Sequence, residues 1–558
     1  MAYSTSRSSK VFLNKILNSG KESSLIPPHY KPPLQRIFEP ISFLALILTI
    51  PAYYYLGIYH AIVSLSIFLI LFGIIDLFIQ DDHALIRIYG PLGRLRYIFE
   101  DVIRDKYLQY FNETNTDGRP IPRIVRDYIY QKAHNVKSIS SFGTELDIYD
   151  PEITTQSRLL HRNFPGIAEQ KTYGVLVGEK RKNVKPFLIK STINISAMSY
   201  GSLNYKAAEA LSIGAKDIAY VNTGEGGFGP HGVAGNDTVF QIGTGKFGVG
   251  KDAVMHNGKE TRALDEALLI ELVRSNPNIK MIQIKISQGA KPGLGGVLPA
   301  DKVTPEIAAV RKVKPYKTIH SPPQHVELMG ATPKESVNLL MEFIDKIRNI
   351  TELPVGIKLC VGRMDELDLL VAAMKSTGKG PDAIQIDGAD GGTGAGPNLF
   401  LNYVGYGSAI ETLHYLDSLL KKEKIRDSVV LSPSGRIFTP AHAALAFAYG
   451  ADTIDTARAA MLALGCIQAI KCHTNHCPTG ITTNSPWRMH GLNVPEKATR
   501  VHHFIQGFNE DMMLLTKVLG HSDPRDIQKD DLRLITHKDN FAAHFEEDPF
   551  GLKVSKHY

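Results

Sequence analysis

The rhythm of hydrophobic and polar positions changes twice along the chain. From Ile37 to Ile75 the only Asp, Glu, Lys or Arg is Glu39, and the apolar run reads ISFLALILTIPAYYYLG and then IYHAIVSLSIFLILFGIIDLFIQ. A membrane span needs about 20 residues. The run therefore predicts two spans, roughly Ile41–Leu56 and Ile58–Phe78, with a turn near Gly57. Tyr53, Tyr54, Tyr55 and Tyr59 fall at that turn, where interfacial aromatics belong. Lys10, Lys15, Lys21, Lys31 and Arg36 precede the run, and Arg87, Arg94 and Arg96 follow it. Positive flanks on both sides predict that both ends face the cytoplasm, as in a protein of the cell inner membrane. A buried hairpin of a soluble protein is the alternative, although such helices normally keep one polar face. A cleaved leader fits poorly, because the apolar run starts late and lacks a small-residue cleavage pattern.

Residues 81–185 read as a connecting region, with helix-like pieces LRYIFEDVIRDKYLQYF and IPRIVRDYIYQKA around a turn-rich NETNTDGRP. From about Pro186 the pattern becomes βα. Short β-rich runs (TINISAMS, AYVNTGEGG, MIQIKISQGA, VGIKLCVG, AIQIDGADGG, VVLSPSG, DTIDTAR) alternate with helical stretches at Tyr205–Ile218, around Lys334–Ile347, around Asp365–Met374 and after Pro440. The runs are apolar almost throughout, as in strands covered on both faces. Seven or eight such units favour a closed α/β barrel of the (β/α)8 TIM type over an open sheet. The expected division is a basic segment 1–36, two spans in 37–80, the connector 81–185, a catalytic barrel 186–520 facing the cytoplasm, and a tail 521–558.

Hydrophobic residues make up 43% of the 558 residues and charged residues 21%, an ordinary globular composition. The net charge of +7 is concentrated near the N-terminus, which suits a membrane surface better than a nucleic acid. Only four cysteines occur, too few for a secreted disulfide scaffold. Cys466, Cys472 and Cys477 crowd into GCIQAIKCHTNHCPTG with the spacing C-x5-C-x4-C. Thiolates at this density point to iron or zinc. Three of them can hold a three-iron cluster, and Pro478 after the last cysteine matches ferredoxin-type ligation. A zinc site completed by His473 or His476 is the competing reading.

The cysteine segment resembles the cluster loop of glutamate synthases, GC-x5-CH-x-N-x-CP-x-G, with Gly465, Cys466, Cys472, His473, Asn475, Cys477, Pro478 and Gly480 in register. Further matches run in order: SAMSYGSL, NTGEGG, KISQGAKPGLGGVLPADKV, HSPPQH, IKLCVG and DGADGGTGAGP. Together they span about Ser196 to Gly480. The resemblance is to a single-domain, membrane-associated branch of that family. It implies FMN, and a 3Fe–4S cluster on Cys466, Cys472 and Cys477. Ser196, Ala197 and Met198 would bind the flavin, Lys358 would stabilise negative charge on its ring, and Gln385 would hydrogen-bond the ring edge. A lysine that snorkels to the rim is the plainer reading of Lys358. Gly391, Gly392 and Gly394 would bring backbone N–H groups close to the ligand. Ser434, Gly435 and Arg436, with Thr456 and Ala457, follow the last two strands, where barrels bind phosphate.

Lys291 and Arg311 match positions that bind the carboxylates of 2-oxoglutarate, and Glu225 matches a glutamate beside the incoming ammonia. Arg311 lies on a helix-like stretch, where a plain surface charge is the alternative. The substrate loop reads KPGLGGVLPA where the long enzymes read KPGEGG-x-LPG, so Leu294 and Val297 leave the keto acid open. GTGKFG (Gly243–Gly248) formally matches G-x-G-x-x-G but lacks a following helix, and reads as a loop.

The implied activity is reduction of a 2-imino acid, formed from 2-oxoglutarate and ammonia, to an amino acid. Electrons would pass from an external donor (ferredoxin, an NAD(P)H-oxidising subunit or a membrane carrier) through the cluster to FMN. No glutaminase region is expected, so ammonia would come from solution or a separate glutaminase. Oxidation of an amino or 2-hydroxy acid toward the membrane, and a non-catalytic electron-transfer subunit, are the alternatives.

Overall fold

The computed structural model describes residues 33–79, 89–98, 116, 118–137, 156–163, 171–256 and 259–535. The lysines before Pro33, Arg87, most of LRYIFEDVIRDKYLQYF and the tail beyond Ile535 lie outside the described residues. The chain divides into two compact units, Met1–Asn112 and Glu113–Tyr558.

In the first unit, helices Pro33–Leu56 and Ile58–Ile74 pack against each other and are separated by Gly57, whose φ of 89° ends one helix and starts the next. The second continues as a wide turn, Ile75–Ile79. The break falls at the expected glycine, but the first helix starts at Pro33, ahead of the apolar run. Among the described residues one helix, Ile58–Ile79, is long and apolar enough to cross a membrane. Apolar side chains such as Ile62, Leu69 and Ile70 point outward from it. Asp76 at its end is buried and takes a bidentate contact from Arg94, whose guanidinium lies 4.5 Å from the Phe72 ring centre.

The second unit is built on a closed barrel of eight parallel strands: β1 Ile193–Ile195, β2 Val221–Asn222, β3 Thr238–Ile242, β4 Ile279–Lys285, β5 Val355–Leu359, β6 Ala383–Asp387, β7 Val430–Ser434 and β8 Ile454–Thr456. Each strand pairs with its sequence neighbours, and β8 closes on β1 through Ile454 opposite Ile193. Seven of these strands match the expected runs. β3, TVFQI, was not expected, because it is continuous with the glycine-rich loop that follows it. GTGKFG forms turns after β3 and opens no helix.

The outer helices begin where the sequence supplies capping oxygens. The side chains of Asn204, Asp265, Thr304, Thr332, Thr439 and Asn493 each accept a first-turn N–H. Pro305, Pro333 and Pro440 follow three of these caps, in the first turn where a missing N–H costs nothing. Hairpin strands Val175–Val177 and Phe187–Ile189 close the barrel floor, packing Tyr173, Val175 and Phe187 with Tyr220, Met281 and Val430.

The unit boundary differs from the expected 185/186. Helix Arg123–Ala133 packs on helices Arg458–Ala463 and Val494–Val518, so part of the connector belongs to the barrel body. The expected tail is also structured at its start: Leu532–Ile535 pairs antiparallel with Gln156–Leu159.

Candidate functional site

In a barrel of this type the C-terminal strand ends hold the chemistry, because loops there can vary without disturbing the core. The structure gathers most of the expected site residues at that end. A belt of amides crosses the barrel interior beneath it. Asn222 and Gln241 donate to Gln283 Oε1 at 2.8 and 2.7 Å, Gln283 donates to Gln385 Oε1 at 3.0 Å, and Gln385 donates to Ser196 Oγ at 2.8 Å. Every member is buried. A chain of satisfied amides holds the first-strand segment and Gln385 in one rigid layer.

Register places Lys358 between Lys285 on β4 and Gln385 on β6. Lys358 does not snorkel: its ammonium is buried and lies 3.3 Å from Asp387. Asp387 also accepts from Ser434 Oγ at 2.7 Å and from Gly289 N at 2.9 Å, tying together the ends of β4, β5, β6 and β7. Gly289 approaches so closely that a Cβ there would stand 1.7 Å from the carbonyl oxygen of Gly388.

Glu225 sits in the turn after β2 and pairs with Lys285 at 2.7 Å. Burial pushes the Glu225 carboxyl up, but Lys285, Lys291 and Arg311 outweigh it and hold its pKa below the ordinary value. Lys291 is buried and donates to the Ala395 carbonyl at 3.0 Å. Arg311, on the last turn of helix Pro305–Arg311, is not a surface charge. It is 4% exposed, donates to the Tyr200 carbonyl through two nitrogens and stacks 4.9 Å from the Phe247 ring centre. Burial lowers the pKa of both Lys291 and Arg311, and the nearby Glu225 carboxylate works against that loss.

Several participants escaped sequence reading. Lys285 ends an apolar strand just as Lys358 does, and that shared pattern was the available signal. Asp387 was visible only inside a glycine-rich motif. Behind Lys285, His325 donates to its carbonyl at 2.8 Å and accepts from the fully buried Lys246 at 2.6 Å. Lys246 lies 2.8 Å from Glu327. Burial and the adjacent Lys246 push His325 down to about 3, so its ring stays neutral.

The loop after β6 carries Gly391, Gly392 and Gly394. A Cβ at Gly392 would reach Arg458 Cδ at 2.8 Å, whereas the space at Gly394 is open to within 3.9 Å of Ser202. Among the described residues, Asp390 Oδ1 in this loop is buried without a hydrogen-bond partner. Ser434, Gly435 and Arg436 leave β7, and Arg436 donates to the Pro120 carbonyl. The Thr456 carbonyl accepts from Ser196 N at 2.9 Å, and Ala457 precedes helix Arg458–Ala463. A glycine cradle beside an unpartnered buried oxygen fits a polar cofactor such as FMN, with the buried cation Lys358 and Gln385 below.

Cys466, Cys472 and Cys477 follow helix Arg458–Ala463 in one loop, and all are free thiols. Gln468, Ile470 and Asn475 take positive φ of 57°, 55° and 59°, and for β-branched Ile470 this is a strained backbone. Gly480 ends the loop with φ 78°. Burial pushes the Cys466 thiol up to about 12 and raises Cys472. For Cys477 burial acts upward as well, but hydrogen bonds from Thr479 and Thr482 bring it below the ordinary value. Among the described residues no three His, Cys, Asp or Glu side chains close round a point as the ligands of one ion would. Three cysteines in one loop remain a donor set whose chemistry suits iron or zinc. Tyr130 Oη donates to the Cys466 carbonyl at 2.6 Å, and Gln468 Oε1 accepts from Ile121 N at 3.0 Å. The pre-barrel helix thus braces the loop, a role its sequence did not reveal.

A family model described as "Conserved region in glutamate synthase" matches residues 131–522. The glutamate synthase large subunit-like protein YerD of Bacillus subtilis (strain 168) is 32% identical, covering 81% of this chain and 90% of its own length. A ferredoxin-dependent glutamate synthase of Cyanidium caldarium is 33% identical over 61% of this chain and 21% of its own. An archaeal glutamate synthase [NADPH] of Archaeoglobus fulgidus is 31% identical over 60% of this chain and 59% of its own. The chain therefore spans about a fifth of one relative and under two thirds of another. The family match covers the whole barrel and its cysteine loop, and this chain belongs to the glutamate synthase family.

Proposed function

We propose that the chain is a glutamate synthase-type oxidoreductase that converts a 2-imino acid, from 2-oxoglutarate and ammonia, to an amino acid. The observation that carries this reading is the convergence of Glu225, Lys285, Lys291 and Arg311 at the barrel mouth, beside the buried Lys358–Asp387 pair. Three cations around one carboxylate suit a dicarboxylic keto acid and a group that handles a proton. Arg311 uses Nε and Nη2 on the Tyr200 carbonyl, and a guanidinium has five N–H donors, so it can still engage a carboxylate. Lys291 likewise keeps donors beyond its contact with Ala395. A bound dianion would share these cations with Glu225 and lift its pKa toward the ordinary range. Glu225 then accepts a proton from ammonium only when substrate is seated.

FMN, when bound, supplies the hydride chemistry, and a 3Fe–4S cluster supplies single-electron entry. Ser196, Ala197, Met198, Lys358 and Gln385 would hold the flavin ring. Gly391, Gly392, Gly394, Ser434, Gly435, Arg436, Thr456 and Ala457 would hold its phosphate end. Cys466, Cys472 and Cys477 would hold the cluster. The electron donor is external, and among the relatives one is named ferredoxin-dependent and another is named for NADPH. Ile58–Ile79, with the helix before it, anchors the chain in the cell inner membrane with the barrel on the cytoplasmic side.

The test is anaerobic. Chemically reduced protein should be reoxidised by 2-oxoglutarate with ammonium and by neither alone. Failure of the pair, with bleaching of oxidised protein by an amino or 2-hydroxy acid instead, would assign the oxidative direction. Retention of the protein in carbonate-washed membranes tests the anchor.

A further inference from the structure

We propose that Lys302 is a positioning residue whose buried ammonium, held against the cysteine loop, sets the reduction potential of the cluster held by Cys466, Cys472 and Cys477. This rests on the cluster assignment above. Lys302 ends the short turn Ala300–Lys302 and is 3% exposed. Its ammonium donates to the Cys472 carbonyl and to the Ser202 carbonyl, both at 3.3 Å. Its own carbonyl accepts from Asn484 Nδ2 at 3.0 Å. Asn484 N in turn donates to Asn475 Oδ1 at 2.8 Å, inside the cysteine loop. Lys302 is thus clamped at both ends between that loop and the turn that follows the first-strand segment Ser196–Met198.

Among the described residues no carboxylate lies within ion-pair distance of this ammonium; burial lowers its pKa to about 8, so it carries its charge at neutral pH, and Cys472, Asp301 and Cys477 act to hold the proton. A buried cation without a carboxylate is costly unless negative charge is close by another route. Three thiolates on iron supply that charge. The same proximity works in reverse: an ammonium fixed beside the cluster lowers the cost of each electron added to it, so it raises the potential. The rigid clamp matters because a mobile lysine would be screened by water.

The experiment uses the full chain purified anaerobically, with iron and acid-labile sulfide assayed and the cluster followed by EPR during a redox titration. In Lys302→Gln the midpoint should fall while cluster content holds, and in Lys302→Arg it should stay near the wild-type value. The flavin midpoint, followed by absorbance in the same titration, should move less than that of the cluster. An unchanged cluster midpoint in Lys302→Gln overturns the proposal. So does loss of cluster in both variants, which would make Lys302 a purely structural clamp. A wild-type protein without an iron–sulfur signal sinks the cluster assignment itself, a failure visible before any variant is made.

Discussion

At the scale of single residues, the site runs on buried charges whose partners are other site residues. Lys358 and Asp387 are the sharpest case. Replacing Lys358 by Met leaves the Asp387 carboxylate in an apolar strand end with only neutral donors. Breaking a buried pair from one side costs about 3–5 kcal/mol. Urea unfolding of Lys358→Met should show a loss of that order, and the double variant with Asp387→Asn should recover part of it. Glu225 makes a different prediction, because its pairing with Lys285 lies at the mouth. Glu225→Gln keeps the shape and removes the proton acceptor. Its turnover with 2-oxoglutarate and ammonium should fall by about 10²–10⁴-fold, the range for general acid–base groups, with flavin content retained. Equal turnover in the variant would take Glu225 out of the chemistry.

At the scale of elements, close approaches between loops decide whether the site assembles. Gly289 lies between the ends of β4 and β6, and Gly289→Ala would place a methyl 1.7 Å from the Gly388 carbonyl oxygen. Backbone atoms cannot yield as a flexible side chain can, so the two loops must part. The variant should lose flavin while keeping its far-UV circular dichroism. On the opposite flank, helix Arg123–Ala133 braces the cysteine loop through Tyr130. Tyr130→Phe removes one part-buried hydrogen bond, worth about 1 kcal/mol, and leaves the Cys466 carbonyl unpaired by that hydroxyl. The expected readout is faster loss of iron under a chelator than in the parent. Sequence patterns located both loops, since glycines and cysteines announce themselves, but gave no sign that residues 119–133 would contact one of them. Contacts across more than 300 positions leave no periodic trace.

At the scale of the whole molecule, pH dependence follows from groups that the fold buries. His231 donates to the Met198 carbonyl from a site with no solvent, and burial pushes its pKa down to about 4, while His325 stands at about 3. Below about pH 6.5 the unfolded chain takes up protons that these folded rings refuse. Stability is therefore full above that pH and falls as pH drops toward 4 and 3. At pH 5 each ring costs about 2 kcal/mol. Asp455 acts in the opposite sense. Burial raises it to about 6 against hydrogen bonds from Ser432 and Tyr220, so its carboxyl destabilises the fold as pH rises from about 4 to 6. The two histidines outweigh one carboxyl, and urea midpoints should fall between pH 7 and pH 5. His231→Gln, whose amide can still donate to Met198, should flatten that fall. An unchanged slope would mean that His231 protonates in the folded state.

The order of alternating apolar runs and polar turns determined the barrel by itself, because strands covered on both faces must be apolar and their connections must be helical. Spacing likewise determined the thiolate trio, since three cysteines in twelve residues share one loop in any fold. Tertiary structure alone decided which charges meet. Glu225 follows β2, whereas Lys285 ends β4 and Lys291 and Arg311 lie in the segment after it, so only assembly of the barrel brings the carboxylate to its three cations. The partner of Lys358 and the clamp on Lys302 belong to the same class. A charged side chain in a sequence states its need for a counter-charge, but the closure of the barrel selects which one it receives.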